Sequence, residues 1–264
     1  LSLSIFGDLD ISTITGKPPG RRPVETVHEP EARSEAVYAR VAERLAAGDQ
    51  AYIVLPAIDT ESELRDVESH LEHLRRGALR SFEVAPLHGR MPVAEREAIM
   101  ERFRRNEIQA LVATTVIEVG VDVPNATVMV IEHADRFGLA QLHQLRGRVG
   151  RGEKASLCVL VSDPVTEDAR ARLEALLATE DGFEIAEQDL LIRGPGELFG
   201  ARQSGAAPLR VAELPRDLEL LKVAREDAAR WVRLSPRLDG PGDGLVRRRL
   251  LKLYGEALGL GDVA

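Results

Sequence analysis

Ala51-Tyr52-Ile53-Val54-Leu55 is a continuous apolar run, too short for a helix. Runs of this kind are strands covered on both faces, as in parallel sheets. The segments on either side repeat the alternation. Before it, Pro30 and Glu31 open a helix with apolar positions at Ala36, Val37, Ala39, Val41, Ala42 and Leu45, stopped by Gly48. An extended run from Val24 to His28 precedes that helix. After it, a helix is expected from Thr60 to about Arg75, with Glu63 three residues beyond Thr60 as a capping box. A strand at Phe82–Leu87 and a helix at Pro92–Arg105 follow, with proline in the first turn. Leu111–Ala113, Thr127–Ile131 and Leu157–Val161 read as strands, and Leu139–Val149 reads as a helix. Strands alternating with helices imply right-handed crossovers and a parallel sheet, hence an α/β domain at residues 21–165.

The flanks differ. Residues 1–20 read as a connector, with a strand-like stretch at Ile5–Ile11 and a Gly16-Lys17-Pro18-Pro19-Gly20 break. Beyond the sheet, helices are expected at Glu167–Leu177 and Phe183–Ile192. A break at Arg193-Gly194-Pro195-Gly196 and a long loop at Leu198–Leu209 come next, so residues 166–212 form a helical hairpin and extended loop. Residues 213–264 form a C-terminal helical segment, with helices at Arg216–Val232 and Leu245–Leu258.

Composition narrows the function classes. The chain has 264 residues and is 44% hydrophobic, enough for a sizeable core and against wholesale disorder. Cys158 is the only cysteine, so no internal disulfide forms; this fits a reducing cytosol, and the cytoplasm is the expected compartment. No cluster of Cys and His has metal-ligand spacing, and no apolar run approaches the ~18 residues of a membrane span. The start, Leu1-Ser2-Leu3-Ser4, is no signal peptide, and its lack of Met points to a fragment. The net charge of −8 taken alone argues mildly against a nucleic-acid partner.

In open parallel sheets, ligands meet the loops beyond the carboxyl ends of the strands. Three such ends are polar or glycine-bearing. His88-Gly89-Arg90-Met91 follows Leu87. Thr114 and Thr115 follow Ala113, with Gly120, Asp122 and Pro124 further on. Glu132-His133-Ala134-Asp135 follows Ile131. On the Leu139–Val149 helix, ~100° per residue places Gln141, Gln144, Arg148 and Arg151 within a stripe of ~80°. Leu142, Leu145 and Val149 lie opposite, and Arg146 projects toward that apolar side, so the register past Leu145 is open. Arginine supplies a permanent charge and a donor fork suited to phosphate oxygens. The blander readings stay open at this point: a solvated basic face, Thr114 and Thr115 as helix caps, Asp122 as a turn residue. The Arg247-Arg248-Arg249 and Lys252 cluster reads as a solvated helix face that could also touch DNA.

Gln144-Leu145-Arg146-Gly147-Arg148-Val149-Gly150-Arg151 resembles motif VI of superfamily 2 helicases. Ala113-Thr114-Thr115 through Gly120-Val121-Asp122-Val123-Pro124 resembles their motif V, and Ile53–Glu61 their motif IV. Asp189-Leu190-Leu191-Ile192-Arg193-Gly194-Pro195-Gly196-Glu197-Leu198-Phe199-Gly200, continuing to Arg202-Gln203-Ser204-Gly205, is similar to the translocation motif of the RecG family. Phe6–Asp10 and Pro18–Arg21 resemble that family's inter-domain segment. The resemblance covers most of residues 5–212.

The resemblance implies a RecA-like second motor lobe followed by a coupling segment. It implies an ATP-dependent translocase on branched double-stranded DNA (stalled forks, Holliday junctions), monomeric, away from membranes and associated with the bacterial nucleoid. ATP and Mg²⁺ are the implied cofactors, held mainly by a first lobe. The P-loop and acidic box of that lobe are not in this sequence: Lys17 is followed by Pro18 rather than Ser or Thr. The chain alone is therefore expected to be inactive and to work with a first lobe and a wedge module. By the same resemblance, Arg148 and Arg151 reach the γ-phosphate and Gln144 organises that contact. Gly120 and Asp122 shape the nucleotide side. His88, Gly89, Thr114 and Thr115 face the DNA backbone. Arg193, Arg202 and Gln203 couple lobe closure to DNA movement. The transcription-repair coupling translocase shares the hairpin and is the alternative motor; a non-catalytic DNA-binding lobe is the alternative of another class.

Overall fold

The computed structural model describes residues 23–56, 62–114, 123–150, 152, 154–193 and 217–254. The expected strand at Ile5–Ile11, the Gly16–Gly20 break, Thr60 of the capping box and the loop at Leu198–Leu209 lie outside the described residues. The described residues fall into two compact units, divided between Asp189 and Leu190.

The first unit is built on a six-stranded sheet, all parallel, in the order β1-β6-β5-β2-β4-β3. Its strands are β1 (Val24–Glu29), β2 (Gln50–Val54), β3 (Val84–Leu87), β4 (Ala110–Ala113), β5 (Ala126–Glu132) and β6 (Ser156–Val161). Every residue of β2, β4, β5 and β6 is buried, which is why these segments read as unbroken apolar runs. The edge strand β1 is only half-buried, and the other edge strand, β3, carries Pro86. Proline lacks the N–H that a central strand donates on both sides, so an edge is where it fits.

The helices of this unit are α1 (Ser34–Ala46), α2 (Ser62–Arg76), α3 (Val93–Arg104), α4 (Leu139–Arg146), α5 (Glu167–Ala178) and α6 (Gly182–Arg193), the last reaching across the dividing point. α1 buries Val37, Tyr38, Val41 and Leu45 against the sheet and ends where Gly48 takes a φ of +87°. Its entry differs from expectation: Glu31–Arg33 form a 3₁₀ turn before the α-helix starts. Pro92 sits at the N-cap of α3 rather than within its first turn. Its missing N–H is one that no helix end can satisfy internally.

Polar side chains tie the layers together. The Gln50 amide donates to the carbonyls of Phe103 at 2.6 Å and Ile108 at 2.8 Å, holding the end of α3 to β2. Arg44 donates to Asp49 at 2.6 Å and to the carbonyl of Ala155 at 2.5 Å, holding the end of α1 to the start of β6. Thr166 caps α5 by accepting from the Ala169 N–H at 3.2 Å. The unit extends past residue 165: α5 buries Ala169, Leu173 and Leu176, and Glu180 accepts the Val24 N–H at 2.7 Å.

In the second unit, α7 (Leu218–Leu234) and α8 (Gly244–Tyr254) are joined by the nine-residue segment 235–243. Asp243 fastens it, accepting from Trp231 Nε1 at 2.8 Å and from the Gly240 N–H at 3.1 Å. Hydrogen bonds with Ser235 and then Trp231 hold its carboxyl below the usual carboxylate range.

Candidate nucleotide and nucleic-acid site

All six strands point their carboxyl ends the same way, so the loops after β1 to β6 emerge along one rim. Neighbouring β2 and β5 send their chains in opposite directions, β2 toward β3 and β5 toward β6. That is the reversal at which open α/β sheets form a crevice.

β3 and β4 end in register, with Leu87 beside Ala113. The next residues, His88 and Thr114, therefore come side by side, and the Thr114 N–H donates to the Leu87 carbonyl at 3.3 Å. His88 is half-buried and Gly89 exposed, and His88 turns the chain into α3 by accepting from the Met91 N–H at 3.2 Å. Thr114 does not face outward: it is 1% exposed and lies beneath the rim. Among the described residues, neither its Oγ1 nor the His88 Nδ1, both enclosed, has a hydrogen-bond partner. Such orphaned polar atoms are uncommon in folded proteins and concentrate where a ligand or a rearrangement completes them.

At the end of β5, Glu132 is 5% exposed and accepts the Tyr38 hydroxyl at 2.5 Å. The single Tyr38 proton is spent there, so His70, 2.7 Å away, donates through Nε2–H to the phenolic oxygen. Burial, ahead of repulsion from His73 and His133, lowers the His70 pKa to about 4, which keeps it in this neutral form. Burial also raises Tyr38 and Glu132, although the Tyr38 bond itself works to lower Glu132. Sequence reasoning picked out Glu132 as a polar strand end but missed Tyr38 and His70. His133, at a φ of +48°, then reverses the chain and donates Nδ1–H to Glu31 at 2.8 Å.

α4 follows. Leu139, Leu142 and Leu145 are buried while Gln141 and Gln144 are exposed, as the helical stripe requires. Gln141 accepts the Gly138 N–H at 3.1 Å and closes the first turn. The helix stops at Arg146 instead of running to Val149. The N–H groups of Arg148 and Val149 bond three residues back, to Leu145 and Arg146 at 2.9 and 3.3 Å. Gly150 then takes a φ of +74°. The ~100° stripe therefore holds for Gln141 and Gln144 and not for Arg148, which lies half-buried in a tighter turn.

Arg146 lies at this break, with Gly147 as the C-cap. The arginine is 4% exposed and donates to the Leu176 carbonyl at 2.6 Å, with His143 Nδ1 at 3.1 Å. Leu176 lies in the last turn of α5, where carbonyls have no intrahelical partner, so Arg146 caps that helix and complements its dipole. A Cβ on Gly152 would stand 3.2 Å from the Pro124 carbonyl oxygen. Gly152 thus stands against the chain just before β5, on its own way into β6.

Thr115, Gly120, Asp122, Arg151, Arg202 and Gln203 lie outside the described residues, and Arg193 is placed only as the last residue of α6.

Residues 35–153 match the family described as Helicase conserved C-terminal domain. Residues 179–260 match ATP-dependent DNA helicase RecG, domain 3, C-terminal. The ATP-dependent DNA helicase RecG of Synechocystis sp. is 45% identical over 262 residues, covering 98% of this chain and 31% of that protein. The Aquifex aeolicus RecG is 47% identical over 272 aligned positions, covering 100% of this chain and 34% of that protein. A solved structure of RecG bound to a three-way DNA junction aligns with a TM-score of 0.65 at 44% identity, covering 84% of this chain and 28% of that one. The chain spans about a third of the length of the curated relatives it matches.

Proposed function

The chain belongs to the RecG family of ATP-dependent DNA helicases, and we propose that it supplies the second RecA-like lobe and coupling segment of a double-stranded DNA translocase. Its substrate is branched DNA, remodelled in recombination and repair. The observation that carries the reading is the chain-long similarity to RecG proteins, one of them solved on a three-way junction.

Each residue has a physical task on this reading. Bound ATP with Mg²⁺ supplies the phosphoryl group whose release drives movement. Arg148 and Arg151 place guanidinium forks where negative charge accumulates during that transfer, and fixed donors stabilise it without reorganisation. Fingers of this kind contribute ~10³–10⁵ in rate in other phosphoryl-transfer systems. Gln144, exposed on the rigid helix α4, orients the contact. Gly120 and Asp122 shape the nucleotide side.

Beyond the carboxyl end of β3, His88 and Gly89 meet DNA phosphates, contacts that position a duplex without reading its sequence. Thr114 is the polar floor beneath them, and Thr115 joins them in meeting the DNA backbone. Arg193, Arg202 and Gln203 transmit lobe closure to the duplex.

The test is ATP turnover by the full-length protein with a three-way junction, a linear duplex or no DNA. Junction-stimulated turnover with strand separation is the expected result. Turnover indifferent to DNA, or strand separation without turnover, overturns the reading.

A further inference from the structure

Several exposed arginines of the first unit are paired with carboxylates. Arg40 meets Glu25 at 3.0 Å and Arg76 meets Glu72 at 2.9 Å. Arg104 and Arg105 share Glu101 at 2.7 and 3.1 Å. α8 is built differently. It reads GLVRRRLLKLY, with no acidic residue, and Arg247, Arg248, Arg249 and Lys252 are all exposed. Among the described residues none of these four makes an ion pair; Arg248 bonds only to its own helix, Nε to the Gly244 carbonyl at 3.1 Å.

At ~100° per residue, Arg248, Lys252 and Arg249 fall within an arc of ~100° on one side of α8. Like charges one turn apart, such as Arg248 and Lys252, destabilise a helix. The helix dipole favours cations only in the last turn, so it accounts for Lys252 and not for Arg247 to Arg249. The four cations also stand in a chain whose net charge is −8, so this face is a local reversal of sign. Its mount is firm, because Asp243 locks the turn before α8 to Trp231 at 2.8 Å.

We propose that the Arg248–Arg249–Lys252 face of α8 is a phosphate-backbone contact for duplex DNA, separate from the rim at His88. It rests on the reading that the protein works on DNA. Arg248 and Lys252 lie ~6 Å apart along the helix axis, close to the ~7 Å rise over two phosphates of one strand. The contact neutralises charge and reads no base, so its signature is in the salt dependence of binding.

The experiment measures anisotropy of a labelled duplex of about 30 base pairs with the 264-residue chain, from ~50 to ~200 mM salt. Wild type is compared with R248Q/R249Q/K252Q, in which glutamine keeps helix propensity, and circular dichroism checks the fold. Three lost phosphate contacts reduce the slope of log K on log salt by ~3, so wild type weakens ~40-fold more than the variant over that range. An unchanged slope in a folded variant overturns the proposal. So does a wild-type chain that binds phosphatidylserine vesicles or polyglutamate but not duplex. The two readings come apart in the full-length protein. Junction-stimulated ATP turnover with an unchanged slope removes only this contact, and a reduced slope without stimulated turnover removes only the motor.

Discussion

Tyr38 and Glu132, 94 residues apart in sequence, meet hydroxyl to carboxylate at 2.5 Å and join α1 to the last residue of β5. The pair holds β5 directly ahead of His133, where the chain reverses toward α4. Hydrogen bonds to charged or buried groups contribute ~1.5–3 kcal/mol. Tyr38→Phe removes only the hydroxyl, leaving the ring beside His70. It is expected to lower unfolding stability by ~2 kcal/mol, read as a lower urea midpoint at unchanged m. Glu132→Gln in the same background should cost less than it does in wild type, since its partner is already gone.

The neighbouring His70 gives stability a pH dependence. Its pKa is about 4 in the folded protein against 6.5 for the free side chain, so the unfolded chain takes up the proton first. Stability is complete above ~6.5 and falls as pH drops toward ~4, by up to ~3 kcal/mol. Glu132 acts in the opposite sense, because its raised pKa favours the folded state at acid pH. His70→Asn removes the first effect alone. Urea midpoints from pH 7 to about 4.5 should decline in wild type and flatten or reverse in the variant. Parallel declines would show that His70 is not the titrating group.

What could be read in advance follows from where each signal is stored. β2, β4, β5 and β6 are buried on both faces, and such strands write themselves as apolar runs. The end of α1 was legible because Gly48 must be glycine-like at a φ of +87°. The end of α4 was not. Its last residue, Arg146, is fixed by a carbonyl 30 residues later, and no local pattern records that partner. Tyr38 reads as core from its spacing to Val37 and Val41, and its bond to Glu132 appears only when α1 lies on the sheet. The exposed Gln144 was legible for the reason the Arg148 register was not: it lies before the break.

Gly152 and Pro124 offer a test of the segments that lead into β6 and β5. A methyl on Gly152 would be 3.2 Å from the Pro124 carbonyl oxygen, so backbone has to yield by a few tenths of an ångström. The stability cost of such overpacking is ~1 kcal/mol. Catalytic geometry is less forgiving, and Gly152→Ala in the full-length protein should lower kcat for ATP ~10-fold with a smaller change in KM. A change confined to KM would mean that the contact shapes binding and not the reacting arrangement.

Arg202→Ala addresses coupling. On the proposed function, ATP turnover stimulated by junction DNA is largely retained while strand separation is lost. Gel-based unwinding and phosphate release measured on the same sample separate the two. Equal loss of both would remove Arg202 from the coupling path.

Two arginines two residues apart should behave oppositely. Arg146 is buried and caps α5 through the Leu176 carbonyl, so Arg146→Met strands that carbonyl and His143. The expected cost is ~2–3 kcal/mol of stability. Arg148 is half-buried past the end of α4, so Arg148→Ala should cost less stability than Arg146→Met. If Arg148 is the phosphate-facing residue, the same substitution in the full-length protein lowers ATP turnover ~10³-fold or more, and Arg151→Ala does likewise. Thermal melts and steady-state turnover on all three variants decide the assignment. Near-normal turnover in Arg148→Ala would return the finger role to Arg151 alone. A turnover loss in Arg148→Ala that tracks a lost melting transition would make Arg148 a second structural arginine.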